Sequence, residues 1–159
     1  MPRTRRSTSN GAAAQGRPRL PYLLGRVDRG VRAELKERLR AYGLSVPEYT
    51  TLSVLQTRPG LSNAQLARRS LITPQSMNQV VAALERRGLI ERTPDPAHQR
   101  ILRTTLTRAG EKLLDELAGM VTALEDEILA DLSPEQRDAL VEGLRSCMRR
   151  LAAGIDMHH

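Results

Sequence analysis

Four side chains in the stretch Thr73-Pro-Gln-Ser-Met-Asn-Gln79 carry short polar heads of the kind that read base edges: Gln75, Ser76, Asn78 and Gln79. Gln and Asn can each set a donor and an acceptor against adenine N6 and N7 in a DNA major groove, and a neighbouring alanine can touch a thymine methyl. At helical spacing Gln75, Gln79, Ala82 and Arg86 share one face, with Ser76, Asn78 and Ala83 on its flanks. Met77, Val80, Val81 and Leu84 fall on the other face. The front half of this segment holds no acid, so it suits an electronegative groove floor. The plainer alternative is a solvated helix face, and what lies beside the segment bears on the choice.

Beside it are groups suited to phosphate: Ser62, Arg68, Arg69, Thr73, Arg86, His98 and Arg100. Arginines placed on phosphates release counterions and make affinity fall with salt. Taken singly, an exposed arginine is only solvated, so Arg68 and Arg69 stay open between the two readings, whereas Arg86 and Arg100 adjoin the segment that reads and the loop described below. No His/Cys/Asp/Glu group has metal-ligand spacing, and no nucleophile–base pair, P-loop or dinucleotide motif occurs. The expectation is a protein with no cofactor, no metal and no catalytic residues.

The elements that must position these groups can be read in order. Leu20 to Tyr42 repeats apolar residues at steps of three and four (Leu20, Leu24, Val27, Val31, Leu35, Leu39, Tyr42), and Gly43 ends it. So long a helix with one apolar stripe needs a partner to cover it. Ser45-Val-Pro-Glu48 is a capping box that opens a second helix, which stops at Pro59-Gly60. Ser62 and Gln65 repeat the device for a short third helix with Leu66 and Ala67 inward, and Leu71-Ile72 makes a brief turn. Thr73 as N-cap, Pro74 at the first helical position and Gly88 as terminator bound a fourth helix. Helices joined by turns this short form a helix-turn-helix. Leu89–Thr93 and Ile101–Leu106 read as two strands, and Pro94–Arg100 as the exposed loop of a hairpin, a wing. Thr107 caps a long helix carrying Leu113, Leu114, Leu117, Met120, Val121, Leu124, Ile128 and Leu129. Ser133-Pro-Glu-Gln136 starts the last helix, with Leu140, Val141, Leu144, Cys147, Met148 and Leu151 on one side. Cys147 lies on that stripe and reads as a small buried hydrophobe rather than a redox switch.

The expected fold is mainly α, about six helices plus a two-stranded β wing. Residues 1–19 form an Arg-rich disordered tail, 20–43 a dimerisation helix, 44–107 a winged helix-turn-helix lobe, 108–154 C-terminal dimerisation helices, and 155–159 a frayed end.

Composition agrees. Of 159 residues 40% are hydrophobic, but Phe and Trp are absent, so the core is aliphatic, as helices packed on helices require. Five of the seven net positive charges sit on Arg3, Arg5, Arg6, Arg17 and Arg19, leaving +2 for the rest. Such a tail attracts polyanions without specificity, or is simply solvated. Only Lys36 and Lys112 among the 25 Lys and Arg residues are lysine, which a GC-rich coding bias explains as well as phosphate contacts do. No apolar run is long enough to span a membrane and no apolar leader segment is evident. One cysteine precludes an intrachain disulfide and fits a reducing cytoplasm.

With these residues in this order, the chain resembles the MarR family of winged helix-turn-helix transcription regulators over about residues 20–153. The motifs that carry the resemblance are Gln65-Leu-Ala67, Thr73-Pro-Gln-Ser76, Leu84-Glu-Arg-Arg-Gly-Leu-Ile-Glu-Arg92, Asp95-Pro-Ala-His-Gln-Arg100 and Leu106-Thr-Arg-Ala-Gly110. The resemblance implies a homodimer joined through the first and last two helices, with reading helix 73–88 of each protomer in successive major grooves of a pseudo-palindrome. It implies a repressor released by a small, often phenolic effector or by cysteine oxidation, and it places Arg100 of the wing at a minor groove. It also directs attention to Tyr22 and Tyr49 as candidates for an effector pocket, with Arg26, Arg29 and Arg32 favouring an anionic ligand. The alternative for the tyrosines is an aromatic at the rim of a core. The family's wing commonly reads Asp-x-x-Asp-x-Arg, and here His98 replaces the second acid, removing a carboxylate that could orient Arg100. The reactive cysteine that peroxide-sensing members carry in the first helix is also absent. The competing function is a winged helix that binds protein without specific DNA recognition.

Overall fold

A computed structural model describes residues 18–155 of the chain. Residues 1–17 of the Arg-rich tail and residues 156–159 of the expected frayed end lie outside the described residues. The chain divides into two compact units at Val46/Pro47.

The first unit is helix α1 (Leu20–Leu39) running into a single 3-10 turn, Arg40–Tyr42. Pro21 sits in the first turn, where no N–H partner is needed, and Gly43 takes a left-handed φ of 63° that ends the helix. Leu39 and Leu44 are buried, but Leu20, Tyr22, Leu23, Leu24 and Val27 are exposed. Much of the apolar stripe of α1 is thus uncovered in the single chain.

The second unit runs through α2 (Val46–Thr57), α3 (Asn63–Ser70), α4 (Pro74–Arg86), β1 (Ile90–Pro94), β2 (Leu102–Leu106), α5 (Arg108–Ile128) and α6 (Pro134–Ile155). Its core is aliphatic: Leu52, Leu55, Leu66, Met77, Val81, Leu84 and Leu117 are almost wholly buried, and Leu114 and Leu124 nearly so. Thr51 is buried among them because its hydroxyl donates to the Pro47 carbonyl at 2.8 Å. Burial within α4 is narrower than the periodicity predicts, since Val80 is half-buried while Met77, Val81 and Leu84 are fully inside.

The strands are antiparallel, with Ile90 opposite Leu106 and Pro94 opposite Leu102. They begin one residue later than the sequence suggests. Leu89 is otherwise engaged: its N–H donates to the Leu84 carbonyl at 3.0 Å, and its carbonyl accepts from Thr107 at 3.1 Å. A third rung is added by Leu61, which pairs with Thr104 in an isolated bridge. Gly60 N–H donates to the Thr104 carbonyl and Thr104 N–H to the Leu61 carbonyl, both at 2.9 Å. The connection before α3 is therefore stitched to the wing.

The long helices α5 and α6 differ in cover. Leu114, Leu117 and Leu124 of α5 are buried. No residue of α6 is buried among those whose side chains are described, and Leu140, Val141, Leu144, Met148 and Leu151 are exposed. This corrects the reading of Cys147, which is exposed in the single chain. It lies on the apolar stripe that the periodicity predicts, and nothing in the described chain covers that stripe.

Candidate nucleic-acid interface

The reading helix α4 is set by its two ends. Thr73 caps it, its hydroxyl accepting from Ser76 N–H at 3.1 Å and donating to Ser76 Oγ at 2.9 Å. At the other end Gly88 takes φ 67°, its N–H donating to Glu85 and that of Leu89 to Leu84, a Schellman closure sealed by the buried pair Leu84 and Leu89. Helix α3 is fixed by the expected capping box: Gln65 N–H donates to Ser62 Oγ at 3.4 Å, and Ser62 N–H to Gln65 Oε1 at 2.9 Å. Between α3 and α4 the chain turns at Leu71, which adopts φ 54° and is 84% exposed.

These constraints bury Met77, Val81 and Leu84 and leave Gln75, Ser76, Asn78 and Gln79 facing outward. Two of the four are already engaged. Ser76 belongs to the cap, and Asn78 Oδ1 accepts from Asn63 Nδ2 of α3 at 2.7 Å. Arg86 lies at the far end of the same helix, exposed, and Arg68 and Arg69 are exposed in the last turn of α3. Among the described residues none of these three arginines has an ion-pair partner. Glu85 does: Arg92 of β1 grips it through both oxygens and lowers its pKa, chiefly by the side-chain hydrogen bond. The one acid of α4 is thereby neutralised from the wing side.

The wing is organised by a pair that the sequence reading did not single out. Asp95 is buried, and its carboxylate accepts from Ala97 N–H at 2.8 Å, His98 N–H at 2.9 Å and Arg103 Nε at 2.5 Å. The Arg103 hydrogen bond is the largest cause of the lowered Asp95 pKa, followed by that from Ala97 N–H; burial works against both. Arg103 Nη1 also donates to Gln65 Oε1 at 3.2 Å and, more weakly, to the Gly60 carbonyl at 3.4 Å. One guanidinium thus joins the wing tip, the α3 capping box and the turn before it. His98, where the second acid was expected, contributes its backbone N–H to this loop rather than its ring. Arg100 is exposed and has no side-chain partner among the described residues. Together with Ser62, Asn63 and Arg92 it lines a groove of about 370 Å³ between the start of α3 and the wing.

The effector candidates are placed less tightly. Tyr22 and Arg26 stand one turn apart on α1, with Arg26 Nη1 3.5 Å from the Tyr22 hydroxyl. Tyr49 is half-buried on α2. No helix among the described residues is long and apolar enough to cross a membrane, and no His/Cys/Asp/Glu cluster there could hold a metal ion.

The MarR family model matches residues 42–101, from the last turn before α2 to the wing tip. The HTH-type transcriptional repressor Rv2887 of Mycobacterium tuberculosis H37Rv is 40% identical over 120 residues, 75% of this chain and 86% of its own. The chain belongs to the MarR family. A crystal structure of a MarR family transcriptional regulator from Silicibacter pomeroyi superimposes with a TM-score of 0.76 at 27% identity, covering 82% of this chain and 88% of that one. Crystal structures of Rv2887 give 0.70 for its complex with salicylic acid, at 36% identity over 83% of this chain and 98% of that one. Its complex with DNA gives 0.68, at 34% identity over 82% and 98%. The MarR fold, six helices with a two-stranded wing, is therefore the architecture of this chain, as the sequence motifs predict.

Proposed function

We propose that this MarR family member is a homodimeric transcriptional repressor, not an enzyme, that works in the cytoplasm on a pseudo-palindromic DNA operator. The observation that carries the reading is the outward face of α4, amide-rich and free of unpaired acid, flanked by arginines without ion-pair partners on α3, α4 and the wing. Gln75, Ser76, Asn78 and Gln79 contact base edges in a major groove. Ser62, Arg68, Arg69, Thr73, Arg86, His98 and Arg100 meet phosphates, with Arg100 at the minor groove. The uncovered apolar stripes of α1 and α6 pair with those of a second copy, which sets two reading helices about 34 Å apart. The naming of Rv2887 as a repressor and its crystallisation with DNA support this reading.

A small phenolic or anionic effector releases the DNA. The salicylic acid complex of Rv2887 supports the ligand class, and Tyr22, Arg26 and Tyr49 are its candidate contacts here.

The test is a gel shift with the duplex just upstream of the protein's own gene, run at graded salt. Saturable binding whose affinity falls linearly with salt on logarithmic axes is expected, with release by salicylate. Absence of duplex binding at low salt would overturn the reading in favour of a protein-binding winged helix.

A further inference from the structure

We infer that Asn63 is a positioning residue for base recognition: its side chain turns Asn78 into a hydrogen-bond donor toward DNA. The inference rests on the proposal that α4 reads a major groove.

A free asparagine offers adenine both of its atoms, the oxygen accepting from N6 and the nitrogen donating to N7. Asn78 is held with its oxygen turned toward Asn63 rather than outward. Its Oδ1 accepts from Asn63 Nδ2 at 2.7 Å, while its own Nδ2 is left to face outward on an exposed helix position. The opposite arrangement, with both amides turned over, would let Asn78 present its oxygen instead. Asn63 decides between them. Its Oδ1 is buried and makes no hydrogen bond. Turning the amide over would bury an NH2 group in that place, two donors without acceptors, where the present arrangement leaves one carbonyl oxygen unsatisfied. Buried N–H groups without partners are rarer in proteins than under-satisfied carbonyls, because a carbonyl tolerates the loss better. The burial around Asn63 therefore fixes which atom of Asn78 meets the groove.

The consequence is a change in the base that Asn78 selects. An outward NH2 matches acceptor edges, guanine O6 and N7 or thymine O4, and not the two-point pattern of adenine. Asn63 itself need not touch DNA. It lies at the first position of α3, where an aspartate is also welcome because it faces the positive end of the helix. Asn63→Asp is thus a variant that should fold, and it can only accept, so Asn78 must turn its NH2 inward and show its oxygen. Asn63→Ala removes the partner and leaves Asn78 free for adenine.

The experiment is selection of binding sites from a randomised duplex library with the full chain, repeated with Asn78→Ala, Asn63→Ala and Asn63→Asp. Asn78→Ala identifies the base pair that Asn78 reads as the position where preference is lost. At that position the wild type should favour guanine or thymine, Asn63→Ala should move the preference toward adenine by about tenfold, and Asn63→Asp toward bases with a donor edge, cytosine or adenine. Preferences elsewhere in the site should stay unchanged, a result that a general loss of packing would not give. If the wild type enriches a site but both Asn63 variants enrich the same one, the inference is overturned while the regulator reading stands. Enrichment of nothing by the wild type overturns both.

Discussion

Arg103 and Asp95 meet at 2.5 Å across the base of the wing, and the same guanidinium reaches Gln65 of the α3 capping box at 3.2 Å. The wing tip is therefore not an independent finger. Its position is measured from α3, the helix that packs beside the reading helix. Arg103→Ala should free the tip that carries Arg100 and reduce the salt dependence of DNA binding by about one phosphate contact. Titration of binding against salt, wild type beside variant, checks this; an unchanged slope would show that the tip finds its phosphate unaided.

The same pair sets an acid limit. Asp95 has its pKa lowered in the folded chain, first by Arg103 and then by Ala97 N–H. Its contribution to stability is present in full above the ordinary aspartate value of about 3.9, and is lost as pH falls from there through the depressed value. Thermal unfolding followed from neutral pH downward should show this loss in the wild type, and Asp95→Asn should flatten that part of the curve. Equal acid sensitivity in both would place the loss in other carboxylates.

Arg100 and Gln79 should fail in different ways. Arg100→Ala is expected to weaken binding to specific and random duplexes alike and to lower the salt slope by about 1. Gln79→Ala should cost about 1–3 kcal/mol at one base pair and little on random DNA. Parallel losses on both duplexes for both variants would remove the division between reading helix and wing.

Leu71 offers a gain. A leucine in the left-handed region carries about 1–2 kcal/mol of strain, and at 84% exposure it packs against little. Leu71→Asn should stabilise the fold by about 1 kcal/mol, worth roughly 2–4 °C in Tm. Leu71→Gly should gain less, because glycine also loosens the unfolded chain. Calorimetric Tm values ordered Asn, Gly, Leu would bear this out; a lower Tm for Leu71→Asn would mean that the leucine is needed where it is.

Gly110 should tolerate no side chain. A Cβ there would stand 2.1 Å from the Leu89 carbonyl oxygen, a backbone atom that cannot swing aside. Alanine in a helix ordinarily gains about 1 kcal/mol over glycine; here Gly110→Ala should instead destabilise by about 1–3 kcal/mol. Denaturant unfolding measures it, and a neutral result would show that the junction can relax.

Much of the frame was legible because its signals are local. Ser62 with Gln65, Thr73 with Pro74, Gly88, Thr107 and Ser133 with Gln136 each satisfy or terminate a helix end within a few residues, and each acts where the spacing places it. The outward set on α4 followed from the same periodicity. What escaped were links between distant positions. Nothing in the spacing ties Arg103 to Gln65, Asn63 to Asn78, or Leu61 to Thr104, since each depends on how separate elements come to lie together. The one-residue offset of β1 has the same origin, because Leu89 is claimed by the helix before it and the cap after it. Cys147 stands exposed in the single chain for a related reason: a stripe says that a face wants cover, not that the same chain provides it.

The close seating of Gly110 on Leu89 has a mechanical meaning. Thr107 Oγ1 donates to the Gly88 carbonyl at 2.6 Å and also accepts from Gly110 N–H at 3.2 Å, so the exit of α4 and the entry of α5 share a single joint with no slack. The reading helix is in effect the short arm of a crank whose long arm is the 21 residues of α5. A small swing along that arm has to re-aim Gln75 and Gln79, and a groove that holds those two side chains holds the arm as well.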